Sequence, residues 1–359
     1  MANLMNDRSD MPALYKKYQG FRVPAFQVLL GEGKKDLKSQ LNGQTEQLEI
    51  SLSLDNASSA VFQISNAYDF KNHKFRGEIM NSLTLGNLVQ VNIGYGSSLD
   101  SVFCGYIHSV KQDFQEMPRL SVTALDVRRL MQSSQHMLAA RTGGTYSEVF
   151  QNVMEPYKKL YDRLVVDRSA EKDVSGIKQS GSDLEFVKKL AKAANREFLV
   201  FGDQVYFRRI SNRSAALTLT WGQDLMSFAK ESIYASQKLT VAGIKKGSKD
   251  EVVKATREVK TESSVISLVS GGLEEYIWDP SVNSQEKADQ KADALKEERE
   301  KRVQGGSGSC VGLPQLVPGR TIKIAGLSSG LNGEYMLRQV SHTLGGDGFL
   351  TTFEIGGFG

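Results

Sequence analysis

The residues of this 359-residue chain most able to do chemistry are one serine, four histidines, two thiols and a few carboxylates. Gly326-Leu327-Ser328-Ser329-Gly330 matches the G-x-S-x-G pattern of a hydrolase nucleophile elbow. There a sharp turn exposes the serine and a histidine takes its proton. Ser328 with His342 would then cleave an ester or a cell-envelope polymer. The elbow requires a strand before the serine and a helix after it, so that the helix start completes the oxyanion hole. Here TIKIAG precedes and EYMLRQV follows, which reads as strand, turn, strand, and Asp347 comes after His342, the wrong order. A glycine-rich β-turn is the better reading, and the hydrolase stands as the alternative.

The other combinations are weaker. Cys104 and His108 share a strand face, and His73 and His136 are the remaining histidines brought into the comparison, but no pair recurs with the short spacing of a structural zinc site. A buried cysteine and a polar strand histidine are expected, with no metal or cofactor. Cys104 and Cys310 have no framework spacing, and nothing supports a disulfide between them. Gly94-Tyr95-Gly96 opens like a dinucleotide loop, yet Leu99 stands where the last glycine belongs and no helix follows. Glu274 and Glu275 are adjacent, so they point apart, whereas paired glycosidase carboxylates come from separate segments.

The elements that would position these residues are mostly strands. Residues 1–20 show no period and read as an arm. From Phe21, alternation begins: Leu48, Ile50, Leu52 and Leu54 in QLEISLSLD, then LVQVNIGY (88–95), SVFCGYIHSVKQDF (101–114) and RLSVTALD (119–126). Together they predict one antiparallel barrel or sandwich over 21–132. A mixed region spans 133–212. TYSEVFQNVMEPYKKLYDRL predicts a helix stopped or kinked at Pro156. In SGSDLEFVKKLAKAANREFLVFGDQVYFRR, Ser182 and Glu185 form a capping box, and Leu184, Phe186, Val187 and Leu190 are expected to be packed. A hairpin turning at Gly202-Asp203 follows.

Strands resume at ALTLTW (216–221) and SIYASQKLTVAGIKK (232–246). A polar stretch and a charged run (284–303) interrupt them. The run predicts a surface helix with a thin stripe of Ala288, Ala292, Leu295 and Val303, supported by Glu297–Lys301 and Glu298–Arg302 pairs. GGSGS (305–309) reads as a flexible linker. GRTIKIAG, EYMLRQVSHTL and FLTTFEIGG supply the last strands. The economical division makes 213–246 and 310–359 halves of one β domain, with 247–309 inserted between them.

Composition is that of a folded, water-exposed chain: 40% apolar, 24% charged, mean hydropathy −0.33. Forty-five basic residues against 41 acidic ones leave a charge of +4, too mild and too interspersed for nucleic-acid binding by the chain itself. No apolar run is long enough to insert in a bilayer, and the first twenty residues have no signal-peptide core.

In order, SVFCGYIHSVKQDF, RLSVTALDVRRLM, GSDLEFVKKLAKAANREFLVF, LPQLVPGRTIKIAG and LNGEYMLRQVSHTLGGDGFLTTFEI resemble the phage late control D family. These are hub proteins of contractile tails, similar to the N-terminal part of the valine-glycine repeat spike proteins of type VI secretion. The residues carrying the likeness are Gly105, Asp126, Ser182, Asp183, Leu184, Phe186, Pro318, Gly319, Gly333, Tyr335, His342 and Phe349, together with Ile324, Val340, Gly348, Thr351 and Phe353. The resemblance implies a mainly β fold with α+β character: two related antiparallel β-barrel domains, a small α/β domain between them, and an insertion in the second barrel. It implies a non-enzymatic structural hub, made in the bacterial cytoplasm and incorporated into the baseplate of a phage tail, tailocin or injection particle. Its partners would be two further copies in a homotrimer, a spike protein, an inner tube protein, other baseplate proteins and a tape measure. Three chains with two barrels each would match a threefold spike to a sixfold tube. With no downstream spike segment after GGFG, a separate spike chain is expected. A glycan-binding tail-tip module would instead want clusters of exposed aromatic residues, and exposure is not visible in sequence.

Overall fold

Alternation of apolar and polar residues buries every second side chain, and Leu48, Ile50 and Leu52 accordingly lie in the core of the computed structural model while Glu49 faces out. The structure describes residues 4–140, 144–168, 178–194, 196–209, 215–232, 234, 236–245, 250–259, 266, 268, 270, 272–280, 282–302 and 304–356. Contacts divide the chain into two units, Met1–Met226 with Ser309–Phe353, and Ser227–Gly308 with Glu354–Gly359.

The first unit opens with α1 (Met11–Lys17), which Asp10 caps by accepting from the Ala13 N–H at 2.7 Å. A seven-residue helix is too short to display a period, which is why the segment reads as an arm. Then come β1 (Pro24–Leu30), β2 (Lys35–Asp36), β3 (Gln44–Ser53), β4 (Ser59–Ser65), the small hairpin β5 (Tyr68–Asp69) and β6 (Lys74–Phe75), α2 (Gly77–Ser82), β7 (Leu88–Tyr95), β8 (Ser98–Asp113) and β9 (Arg119–Leu125). They pair in the order β2-β1-β7-β8-β9-β4-β3, all antiparallel. Phe62, Ile64, Val91, Ile93, Val122 and Ala124 fill the buried face, the five larger ones each contributing about 1.5–3 kcal/mol.

A helical layer follows: α3 (Val127–Ser133), β10 (Gln135–Ala140), α4 (Tyr146–Met154), a 3₁₀ turn at Glu155–Leu160 carrying Pro156, β11 (Arg163–Val166), β12 (Lys178–Ser182), α5 (Asp183–Ala193), β13 (Arg196–Phe201) and β14 (Gln204–Arg209). The helix does change character at Pro156, as proline requires. Leu184, Phe186, Val187 and Leu190 are buried, in one core with Phe150 and Phe207, whose rings stack at 4.5 Å. The β13–β14 hairpin turns through Gly202 at φ 55°, and Phe103 of β8 bridges to that glycine. This α/β layer is therefore packed against the main sheet at the hairpin turn.

After β15 (Thr218–Thr220) the chain enters the second unit, with β16 (Leu225–Ser232), β17 (Lys238–Lys245), β18 (Glu251–Glu258), β19 (Glu274–Trp278), α6 (Gln285–Arg302) and β20 (Gln304–Val311). β17 is central, antiparallel to β18 and parallel to β19. The polar stretch thus contains a strand, β18, whose inward residues Val253 and Ala255 alternate with charges too small in contrast to show. Ala288, Ala292 and Leu295 of α6 pack on Leu239, Val241, Val253 and Ala255, so the thin stripe is the packed one. Val303 and the side chains of Glu297, Glu298, Lys301 and Arg302 lie outside the described residues. Ion pairs join α6 to the sheet, Arg257 with Asp289 and Asp293 and Arg299 with Glu275, and Lys291 pairs with Asp279 just after β19.

The expected linker at 305–309 is instead part of strand β20, next to β16. A Cβ on Gly306 would come within 2.4 Å of the Ala229 carbonyl. Its glycines permit close backbone approach, and this tertiary use overrides the flexibility they signal in isolation.

The chain returns to the first unit through β21 (Thr321–Ala325), β22 (Gly333–Gly345) and β23 (Gly348–Ile355). β22 adds to β3 in antiparallel register, Val340 opposite Leu52 and His342 opposite Ile50. The fold is mainly β with a helical layer, as expected. Strand pairing among the described residues forms an open path and not a closed barrel, with β2, only two residues long, at one end of it.

Candidate functional site

The residues singled out in the sequence fall at junctions where segments distant in the chain are tied together. Asp126 caps α3 and accepts from the Arg128 N–H (2.9 Å) and the Ser58 N–H (2.9 Å). Arg128, fully buried, donates to the Asp126 carboxylate from Nε (3.0 Å) and Nη2 (2.6 Å), to the Ser53 and Leu54 carbonyls from Nη1 (2.7 and 3.2 Å), and to Ser58 Oγ (2.8 Å). Every guanidinium donor is used, the condition for a charge to be tolerated away from water. The same β3–β4 turn receives Lys188 of α5 at the Asp55 carbonyl (2.7 Å) and Arg338 of β22 at the Asp55 carboxylate (2.7 Å). Cations from three elements thus hold one turn, and burial lowers the pKa of Lys188.

At the start of α5, Ser182 accepts from the Glu185 N–H (3.2 Å) and Glu185 returns to the Ser182 N–H (3.3 Å), the expected box. Asp183 is buried and accepts from Tyr157 Oη (2.6 Å) and Gln179 Nε2 (2.8 Å), with His136 Nε2 at 3.1 Å. Leu184 and Phe186 belong to the core beneath.

The remaining motif residues shape the sheet. A Cβ on Gly105 would lie 2.2 Å from the Leu125 carbonyl, so only glycine lets β8 approach β9 there. Pro318 and Gly319 make the turn into β21, with Gly319 at φ 82° and its N–H bonded to the Leu337 carbonyl (2.8 Å). Gly333 begins β22 opposite Ile324, and Tyr335 Oη donates to the Leu331 carbonyl (2.8 Å). Phe349 lies over Gly312 and packs edge-on to His342 and tilted to Tyr95. Thr351 Oγ1 accepts from the Leu313 N–H (2.9 Å) and stands 2.9 Å from His342 Nδ1. The threonine hydroxyl has both the lone pairs and the proton to partner Nδ1 in either tautomer of the neutral ring. Burial pushes the His342 pKa down to about 3, against a smaller opposing effect of the Leu316 backbone.

Ser328 and His342 are not brought together. Ser328 is exposed in the turn before β22. His342 lies nine residues into that strand, about 30 Å along it, and is fully buried. Glu274 and Glu275 do point apart: the first accepts from Thr240, the second pairs with Arg299. Among the described residues no three His, Cys, Asp or Glu side chains converge as a metal site. Cys104, expected to be buried, is half-buried; its thiol is raised to about 12, first by desolvation and then by Asp203 and Asp162, and burial raises Cys310 as well. Both thiols are free.

Sequence reasoning passed over Arg128, Arg320, Tyr18 and Gln315, all buried polar residues that join distant segments. The one available signal was position: Arg128 is two residues after a strand-ending Asp, and Arg320 directly follows Pro-Gly. Two exposed aromatic groups were also invisible. In the first unit Tyr68, Phe70, Phe75 and Phe114 meet edge to face at 5.1–5.7 Å, with Phe70 and Phe114 exposed. Their interplanar angles of 61–89° present no shared flat platform of the kind sugar rings stack on. In the second unit Tyr276 and Trp278 stand exposed on β19, an edge strand among the described ones. No helix among the described residues is long and apolar enough to cross a membrane.

A family model described as the Alg8 N-terminal domain matches residues 30–345. No curated protein matches. Among solved structures, the chain superposes on the tail protein from Neisseria meningitidis MC58 with TM-score 0.69 at 13% identity, over 93% of this chain and 96% of that one. It superposes on the 43 kDa tail protein of prophage MuSo2 from Shewanella oneidensis with TM-score 0.71 at 14% identity, over 92% and 98%. The E. coli c3393 protein, a type VI secretion component with structural similarity to T4 tail proteins gp27 and gp5, follows with TM-score 0.51 at 13% identity, over 88% and 74%. The chain thus has the fold of phage tail proteins.

Proposed function

From the premise that this chain belongs to the Alg8 N-terminal domain family, we propose that it is a structural hub of a contractile tail or injection-machine baseplate. The observation that carries the reading is superposition along nearly the whole of both chains on two phage tail proteins. In this reading the chain forms a homotrimer whose ring adapts a threefold spike to a sixfold inner tube. Closed rings need repeated, matching interfaces, and two related β domains per chain would supply six. The division into 21–132, 133–212, 213–246 with 310–359, and an inserted 247–309 belongs to this proposal, as do the late control D likeness and the structural role of the motif residues. Partners are a spike protein, an inner tube protein, other baseplate proteins and the tape measure. The chain is made in a bacterial cytoplasm and incorporated into the particle.

The role is non-enzymatic. Buried motif residues tied into hydrogen-bonded junctions support a scaffold, and the distance between Ser328 and His342 removes support from hydrolysis. Light scattering of the protein alone and with its spike partner tests the reading: a trimer is expected in at least one sample, and a stable monomer in both refutes it. An image of the assembled particle with this chain at the tube–spike junction is the second expectation.

A further inference from the structure

We propose that the segment Leu4–Tyr18 is an exchangeable strap: the groove that holds it in one copy accepts the same segment from a neighbouring copy. The proposal takes from the hub reading only the existence of a neighbouring copy. Four observations carry it, all within the first unit.

First, the strap is held by recognition that any copy would satisfy. Arg320 donates to the Leu4 and Asp7 carbonyls, Arg208 Nη1 to Asn6 Oδ1 (3.1 Å), and the Ser9 N–H to the Ala216 carbonyl (2.9 Å). At its far end Lys17 Nζ pairs with Asp100 (2.6 Å), Tyr18 Oη donates to the same carboxylate (2.5 Å), and Gln315 Nε2 donates to Tyr18 Oη (2.6 Å). Second, its apolar grip is confined to four side chains, Leu4, Met5, Leu14 and Tyr18, whose pockets any copy of the chain presents equally. Third, its fit is incomplete. A cavity of about 390 Å³ lies between strap and body, bounded by Leu14 and Lys17 on one side and Gln315 and Arg320 on the other. Gln315 is buried and its Oε1 has no hydrogen-bond partner. The amide cannot simply turn over, because the Tyr18 proton goes to Asp100 and Tyr18 Oη must accept from Nε2.

Fourth, the segment joins the body through a strained hinge. Gln19 (φ 51°), Gly20 (φ 73°) and Phe21 (φ 57°) are three consecutive left-handed residues, two of them with side chains that disfavour this region. The Phe21 ring, against Tyr15, Tyr18 and Tyr95 at 5.2–5.9 Å, holds the hinge bent. An extended hinge relieves the strain, gives up the local Phe21 N–H bond to the Tyr18 carbonyl, and keeps the strap's contacts with the body, now made to the next molecule. Short strained hinges of this kind favour segment exchange.

The Lys17–Asp100 contact permits a direct test by zero-length carbodiimide cross-linking. Two full-length chains with different affinity tags, one Lys17→Arg and one Asp100→Asn, are co-expressed and recovered through both tags. Neither chain alone can form the Lys17–Asp100 amide. Its appearance by mass spectrometry in the doubly selected oligomer is expected, with the unsubstituted protein as the positive control. Doubly tagged oligomers without the cross-linked peptide, while the unsubstituted protein yields it, overturn the exchange and leave the hub reading standing. Absence of the amide in the unsubstituted protein overturns the contact itself. Failure to recover any doubly tagged species overturns both. A Gln19→Gly substitution in both chains relaxes the hinge and lowers the exchanged fraction about tenfold; an undiminished fraction overturns strain as its cause.

Discussion

His342 gives the sharpest test of how the sheet of the first unit is held together. Its ring is fully buried, neutral, and bonded through Nδ1 to Thr351, which in turn anchors Leu313. The folded-state pKa is about 3, below the unfolded value near 6.5. Between those values the unfolded chain takes up a proton that the native state refuses. The stability is therefore fully present above about pH 6.5 and is lost as the pH falls toward 3, where the native state protonates too. The slope is about 1.4 kcal/mol per pH unit, or about 2 kcal/mol at pH 5. His342→Asn keeps a polar group near the Nδ1 position but cannot titrate. Loss of the ring against Phe349 costs about 1–2 kcal/mol at pH 8. Urea denaturation followed by circular dichroism from pH 8 to pH 4 should show the variant less stable at pH 8 and the two curves converging near pH 5. Parallel curves across that range would refute the buried neutral histidine, as would an NMR titration of the folded protein placing His342 near pH 6.5.

Four further outcomes follow from the same geometry. Arg128→Met leaves Asp126 buried without its cation and should cost about 3–5 kcal/mol in urea denaturation, far more than Arg129→Met at an exposed neighbour. Gly312→Ala places a Cβ 2.1 Å from the Phe349 ring and should prevent accumulation of soluble protein, whereas Gly330→Ala, with open space around it, should not. Ser182→Ala removes the α5 cap and should lower stability by about 1 kcal/mol, with faster amide exchange confined to the first turn. Cys104 and Cys310 should resist a thiol reagent at pH 8 in the folded state and react on unfolding, because burial holds both thiols protonated; rapid native labelling would contradict it.

Local pattern alone carried a good share of this fold. Alternation marked β9 and the core faces of β3 and β7, since an apolar residue at every second position is written directly in residue type. The α5 cap and the Gly202-Asp203 turn were legible for a similar reason: they are satisfied by residues within a few positions of one another. What stayed hidden depended on partners far away in the chain. The glycines of β20 read as linker because nothing local reveals a neighbouring strand 2.4 Å from a would-be Cβ. α1 is one short helix whose stability comes from its docking and not its period. Arg128 and Arg320 look like ordinary surface cations until the carbonyls they satisfy, 74 and 316 positions away, are brought to them.

The G-x-S-x-G stretch divides along the same line. Sequence context determined that Gly326–Gly330 is a turn between strands, because the residues on either side alternate. Only the tertiary structure decided that His342 faces Thr351 in the core and lies far along β22 from Ser328, since strand direction and sheet pairing, not residue order, set which side chains can meet.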